Sequence, residues 1–284
     1  MYQYHLTQRI MLFLSRHHIV DLYCWVAETL PVQPYTTGRP PLLTESETIT
    51  ILIWTTLVLR QQTLKDIHRT LSVYHGSDFR LPKYSAFVNH VHRSLPHMFT
   101  LLTQLLSHTE AVRIMDSTML PVSKLHRANS HKVAKVLAQF GKNWQGWHYG
   151  FKLHASVSLD GRLCGLALTG ANVYDAQAMV KILNHHCALA VGDTLYGAKV
   201  MGGIIKKRYG TVIIAPPWPS QKKKLVTPWQ IDLLNQRSKI ETVFDYLKEH
   251  LHLVSSFPRS VMGYLVHYVR VLLSYQIMAL LRGG

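Results

Sequence analysis

The sequence predicts an α/β domain of mixed sheet preceded by an all-helical region, and three observations carry that reading. Up to residue 109 apolar residues recur mainly at three- and four-residue spacing, as on one side of a helix. From residue 110 onward, short apolar runs suited to buried strands alternate with helical stretches, the pattern of a sheet flanked by helices. With 284 residues and 48% hydrophobic content, the chain has material for the core of one or two domains. The expected division is a helical region over 1–109 and an α/β domain over 110–284.

The first helix is expected from about Leu6 to Leu30, on Ile10, Phe13, Leu14 and Val20, and Pro31, Pro34, Pro40 and Pro41 break it. Thr44-Glu45-Ser46-Glu47 reads as a capping box ahead of the apolar run ITILIWTTLVL, so a second helix starts near Glu45. Thr63 to Val73 and Ser85 to Leu95 are two short basic helical patterns separated by the turn-rich HGSDFRLPKY. They suit a helix-turn-helix that touches DNA equally as well as two solvated helix faces.

In the second region, strands are expected at Ala111 to Met115, ending on Asp116, at Tyr149 to Leu159 and at Leu163 to Thr169 across the turn Asp160-Gly161. Two further buried strands are expected at Ala188 to Val191 and Thr211 to Ala215, with helices before the first and near Ala198 to Lys207. The pattern is helical again over Thr227 to Leu251 and Val261 to Leu281.

Thirty-one Lys and Arg stand against fifteen Asp and Glu, a formal charge of +16. Such a balance favours a polyanionic partner, nucleic acid ahead of an anionic membrane surface, because the cations are spread along the chain and not gathered on one amphipathic helix. Cys24, Cys164 and Cys187 are odd in number and far apart, which fits a reducing compartment and neither a disulfide framework nor a paired zinc motif. The histidine pairs His17-His18, His185-His186 and His250-x-His252 lack a second pair at finger distance. The opening MYQYHLTQRI reads as no signal peptide, and the apolar stretches are too short or too interrupted to span a bilayer, so a cytoplasmic protein is expected.

With carboxylates so scarce, their placement is informative. Asp116 and Asp193 fall at the ends of predicted strands and Glu241 in a helix; strand ends are where α/β sheets collect functional groups. Three convergent carboxylates suit hard divalent cations, which take oxygen ligands and in pairs flank a phosphorus centre. Taken residue by residue, a turn or cap role for each Asp, and an i, i+4 pair of Glu241 with Arg237, account for them better than a metal site does.

Asp116 in IMDST, the segment YGFKLHASVSLDGRLCG followed by LTGANVYDAQAM, Asp193 in VGDTLYG, and RSKIETVFDYLK together resemble the DDE transposases of bacterial insertion sequences. The resemblance is nearest to the insertion sequence 982 family and extends to families sharing an Arg-x3-Glu-x6-Lys signature, covering about residues 111 to 280. It implies a ribonuclease H-like fold and an endonuclease and strand-transfer enzyme of DNA transposition and recombination, with Asp116, Asp193 and Glu241 as both catalytic residues and metal ligands. Two Mg2+ ions, replaceable by Mn2+, are the implied cofactors. Double-stranded DNA, as the element's terminal inverted repeats and the target, is the implied partner of a homodimer at the bacterial nucleoid. Arg237, Glu241 and Lys248 match the signature, and spacings of four and seven place them roughly along one helical face. Two departures are Leu234, where the broader signature has Tyr, and Thr194, where relatives often carry Lys. A domesticated DNA-binding protein or a cleavage-only nuclease is the alternative.

Accessory phosphate contacts are expected from Arg237, Lys248, Lys152 and the basic connection holding Lys124, Arg127, His131, Lys132, Lys135 and Lys142. Trp144 and Trp147 in that connection either stack an unpaired base or fill the core. Lys222, Lys223 and Lys224 either clamp phosphate or are solvated. Tyr196 matches Asp-x-x-Tyr, and is equally a half-buried aromatic beside a strand end. His154 is expected to face the sheet surface or assist DNA binding in preference to acting as a general base, and Asp175 to be a loop cap or a support of the site.

Overall fold

The computed structural model describes residues 18–30, 40–218, 220 and 227–282. The proposed start of the first helix, its prolines Pro31 and Pro34, and Lys222, Lys223 and Lys224 lie outside them.

The chain forms two compact units. The first contains α1 (Ile19–Thr29), α2 (Glu45–Leu57), α3 (Leu64–Tyr74), α4 (Tyr84–Arg93) and α5 (Leu95–Leu105). The C-terminal helix α10 (Val261–Arg282) also belongs to it. The α2 capping box is present: Glu47 N donates to Thr44 Oγ1 at 3.1 Å and Thr44 N donates to the Glu47 carboxylate at 2.6 Å. Helices α3 and α4 stand where the two short basic patterns predicted them, held by buried Ile67, Leu71, Phe87 and Val91. The expected division at residue 110 therefore misplaces α10. Its apolar length, including buried Tyr264, Val271, Leu273 and Ile277, packs on α2 and α5, and Gln276 Nε2 donates to Leu105 O at 2.7 Å.

The second unit is built on a six-stranded sheet of β1 (Val112–Pro121), β2 (Gln139–Asn143), β3 (Gly146–Val157), β4 (Leu163–Gly170), β5 (Leu189–Val191) and β6 (Val212–Ile214). The order runs β2-β3-β1-β5-β6, with β4 also on β3. Strands β1, β5 and β6 are parallel to one another, while β3 is antiparallel to β1, β2 and β4, so the sheet is mixed as predicted. β1 does not stop at Asp116 but continues to Pro121, which places Asp116 mid-strand. β2 was not foreseen, because QFGKN is polar and carries a glycine where an alternating strand would carry apolar residues.

Between strands lie α6 (Asp175–Ile182) and α7 (Lys199–Tyr209); after β6 come α8 (Pro228–Asn235) and α9 (Ser238–Asp245). The single helical stretch expected from Thr227 is thus two helices, broken at Gln236 and Arg237. Met115, Met179, Ile182, Ala190, Tyr196 and Ile205 form one buried cluster between the sheet, α6 and α7. Side chains alternate along a strand, so Asp116, next to Met115, leaves the sheet on the other face. Arg113, fully buried, anchors the start of β1: Nε donates to Glu110 O at 3.0 Å and Nη2 to Asn184 Oδ1 at 2.7 Å.

Candidate active site

The parallel pairing of β1 and β5 ends on Ile114 opposite Val191. Asp116 and Asp193 each follow those partners by the same two-residue step, so register brings them to one level and one face. Asp193 also caps the 3-10 turn Thr194–Gly197, accepting from Leu195 N at 2.9 Å, while Asp116 Oδ1 accepts from Ser117 N at 2.7 Å. The cap role expected of Asp193 is thus present, at the level of Asp116.

Electrostatics show the same convergence. Burial, followed by the charges of Asp193 and Asp175, raises Asp116 to about 6 against the opposing pull of the Ser117 amide and Arg237. Asp193 is raised as well, by burial and then by the Asp175 charge, with the Leu195 amide and Arg237 acting in the opposite sense. Arg237, directly ahead of α9, is the cation common to both carboxylates, and α9 packs on β1.

Glu241 lies one turn beyond Arg237 on the same side of the helix, with its residue exposed. Among the described residues, no three His, Cys, Asp or Glu side chains are spaced to hold a metal ion together, so Glu241 does not close onto the two aspartates. Lys248 falls in the π-type turn Tyr246–His250 that follows α9, which breaks the expected one-face alignment, and its charge acts on His148. The donors present are nevertheless all oxygen. Burial opposes the ionisation of both half-buried carboxylates, and a hard divalent cation would favour it.

Three residues differ from their expected positions. Lys152 is not a free phosphate contact: it is buried, and its Nζ donates to Val173 O at 2.9 Å and to Asp175 Oδ1 at 3.2 Å. His154 is not on the sheet surface but 0% exposed, with Nε2 2.9 Å from Thr169 Oγ1 and Nδ1 3.4 Å from Asp175; burial pushes its imidazole down. Tyr196 is wholly buried, and its hydroxyl has no hydrogen-bond partner although Asp175, Asp116 and Asp193 all act on it and, with burial, hold the phenol well above its usual range. Gly192 makes its position accessible, because a Cβ there would stand 2.6 Å from the Tyr196 ring.

Asp175, first residue of α6, is therefore tied to Lys152 while its charge reaches both Asp116 and Asp193. The two-residue period of Lys152, His154 and Ser156 was the available signal, since it puts all three on the α6 side of β3; Ser156 Oγ donates to Ile182 O at 2.7 Å.

Lys124, Arg127, Lys132, Lys135 and Lys142 are exposed, as a phosphate-binding role requires. The tryptophans are not core: Trp144 is 90% and Trp147 55% exposed at the turn joining β2 to β3, and Lys142 Nζ sits 5.9 Å from the Trp147 ring centre.

Fold and site together define an α/β domain whose central parallel strands deliver a carboxylate pair to one point of the sheet. The chain belongs to the Transposase DDE domain family, whose model matches residues 106–261. Searches against curated proteins and against solved structures return no match. Membership makes transposition, a DNA recombination, the family function and DNA the partner; such domains typically work with divalent metals. Among the described residues no helix is long and apolar enough to cross a membrane.

Proposed function

We propose that this protein is an insertion-sequence transposase, nearest the insertion sequence 982 family, with a ribonuclease H-like catalytic domain that cleaves element ends and joins them to target DNA. The equal two-residue step of Asp116 and Asp193 past the Ile114–Val191 pair carries the reading. The strand order, with a long antiparallel strand on one side of β1 and two parallel strands on the other, supports the fold assignment.

Asp116 and Asp193 would hold divalent ions, Mg2+ or Mn2+, and Glu241, exposed on α9, would have to approach them to complete the set. When bound, the ions supply Lewis-acid stabilisation to the attacking and leaving oxygens. Arg237 neutralises charge on the phosphate beside the aspartates. Hydrolysis breaks a phosphodiester P–O bond and frees a 3′-hydroxyl; that oxygen then forms a new P–O bond with target DNA and displaces the target's 3′-oxygen. Lys124, Arg127 and Lys132 position the duplex, and α3 with α4 reads the terminal inverted repeats. Two ends call for two active sites, hence a homodimer on DNA at the nucleoid.

Incubating wild type and Asp193→Asn with end-bearing labelled DNA and a target plasmid, in Mg2+ or Mn2+, tests this. Joined product from wild type alone is expected. Cleavage without joining selects a nuclease, and binding without metal-dependent cleavage selects a domesticated DNA-binding protein.

A further inference from the structure

Asp175 is the first residue of α6, a place where an acid ordinarily serves the helix start. The cap residue Tyr174 makes no side-chain bond to α6, and the Asp175 carboxylate turns to β3 instead. Its Oδ1 accepts from Lys152 Nζ at 3.2 Å and lies 3.4 Å from His154 Nδ1, with the side chain 13% exposed. Lys152 Nζ also donates to Val173 O, and His154 Nε2 meets Thr169 Oγ1, so both partners of the carboxylate are themselves held. A buried ion pair adds little net stability over apolar packing of the same volume, so the fold alone gives this one little reason to exist.

Its placement gives a better one. Lys152 and His154 pair across the sheet with Met119 and Ser117 of β1, and Ser117 is the neighbour of Asp116. Helix α6 packs on β3, on β4 and on the 3-10 turn that Asp193 caps. Asp175 is thus brought toward Asp116 through β3 and toward Asp193 through α6, and its charge acts on both. The buried Tyr196 hydroxyl, which has no hydrogen-bond partner, is subject to the same three carboxylates, Asp175 foremost. Asp175 stands on the α6 side of the sheet, whereas Asp116 leaves by the other face. Among the described residues no third His, Cys, Asp or Glu joins the two aspartates at metal-ligand spacing. Asp175 therefore acts through its field, which low-dielectric surroundings screen weakly.

We infer that Asp175 is a positioning residue of the strand-cutting site: held by Lys152, its carboxylate supplies the third negative charge that draws a divalent cation to Asp116 and Asp193 before Glu241 approaches. The inference rests on the reading of those two aspartates as the cation site. The two partners of the ion pair then have opposite effects, since Asp175 attracts a cation and Lys152 repels it.

The test is Mn2+ titration of the full chain without DNA, followed by loss of the free-ion paramagnetic resonance signal, with circular dichroism confirming the fold of each variant. Asp175→Asn, which keeps an oxygen for Lys152, is expected to bind Mn2+ about 10–100-fold more weakly than wild type. Asp175→Glu, which keeps the charge, should recover most of the affinity, and Lys152→Met should bind no more weakly than wild type. A merely structural pair predicts weaker binding in both Asp175→Asn and Lys152→Met, and that result overturns the inference. So does unchanged affinity in Asp175→Asn, or Asp175→Glu as weak as Asp175→Asn. Asp193→Asn separates the two failures: wild-type binding that Asp193→Asn abolishes and Asp175→Asn leaves intact sinks this inference alone, whereas wild-type binding that Asp193→Asn leaves intact sinks the cation site itself.

Discussion

Asp116 and Asp193 each stand one two-residue step past the paired residues Ile114 and Val191, and after burial the Asp193 charge helps to raise the pKa of Asp116. That repulsion is built into the metal-free protein. Asp116→Asn is therefore expected to raise stability in EDTA at pH 7.5 by about 1–2 kcal/mol, read from denaturant midpoints, while abolishing metal-dependent cleavage. An asparagine variant less stable than wild type in EDTA contradicts the crowded-carboxylate account.

Tyr196 and Gly192 form the next test. Tyr196→Phe removes a buried hydroxyl that has no partner, so stability should hold or rise by about 1 kcal/mol, with strand cleavage retained. Gly192→Ala places a Cβ 2.6 Å from the Tyr196 ring and should cost about 1–3 kcal/mol. Loss of cleavage in a well-folded Tyr196→Phe would give the hydroxyl a chemical role.

Lys152 is buried and tied to Asp175 within the fold. Lys152→Met leaves that carboxylate without its cation and should destabilise by about 2–4 kcal/mol. The salt dependence of DNA binding should stay as in wild type; a slope reduced by about one would mean that Lys152 does meet phosphate.

Trp144 and Trp147 project from the β2–β3 turn. Their alanine variants should change stability by less than about 0.5 kcal/mol and weaken single-stranded DNA binding by about 1–3 kcal/mol each. Fluorescence anisotropy with a labelled strand reads the loss, and unchanged affinity removes the stacking role.

His267 supplies a pH dependence. Its Nε2 donates to His252 O at 2.9 Å, and burial, then Arg270, lowers its pKa to about 3. The unfolded chain thus binds a proton that the folded chain refuses between about pH 6.5 and 3, so this contribution to stability is intact above 6.5 and lost as pH falls through that window. Relative to wild type, His267→Gln should flatten the decline in denaturation midpoint between pH 7 and 5. Parallel curves would assign the acid sensitivity elsewhere.

Much of the architecture was legible because it rests on local chemistry. The Thr44 capping box and the hairpin at Asp160-Gly161 are written in adjacent residues. β2 was not, because its partner β3 supplies the hydrogen bonds and its own side chains do not pattern. Asp116 was misread as a strand end because Ser117 and Thr118 follow the apolar run, although long strands tolerate such residues between buried neighbours. Of the candidate site, Asp116 and Asp193 were singled out by scarcity and family resemblance. Asp175, Lys152 and His154 were not combined, since their meeting depends on where α6 starts against β3, a relationship between distant segments.

The packing of α10 on α2 and α5 has a consequence for synthesis. Helices α1 to α5 leave the ribosome first, yet their packing partner arrives roughly 150 residues later, which at ~5–20 residues per second is a wait of about 10–30 s. In that interval the sheet unit can emerge in full, whereas the helical unit presents the apolar surfaces of α2 and α5 to whatever is near. The nascent protein is thus assembled from the middle outward, and a chaperone that shields helices α2 and α5 until termination would raise its yield more than one acting on the sheet.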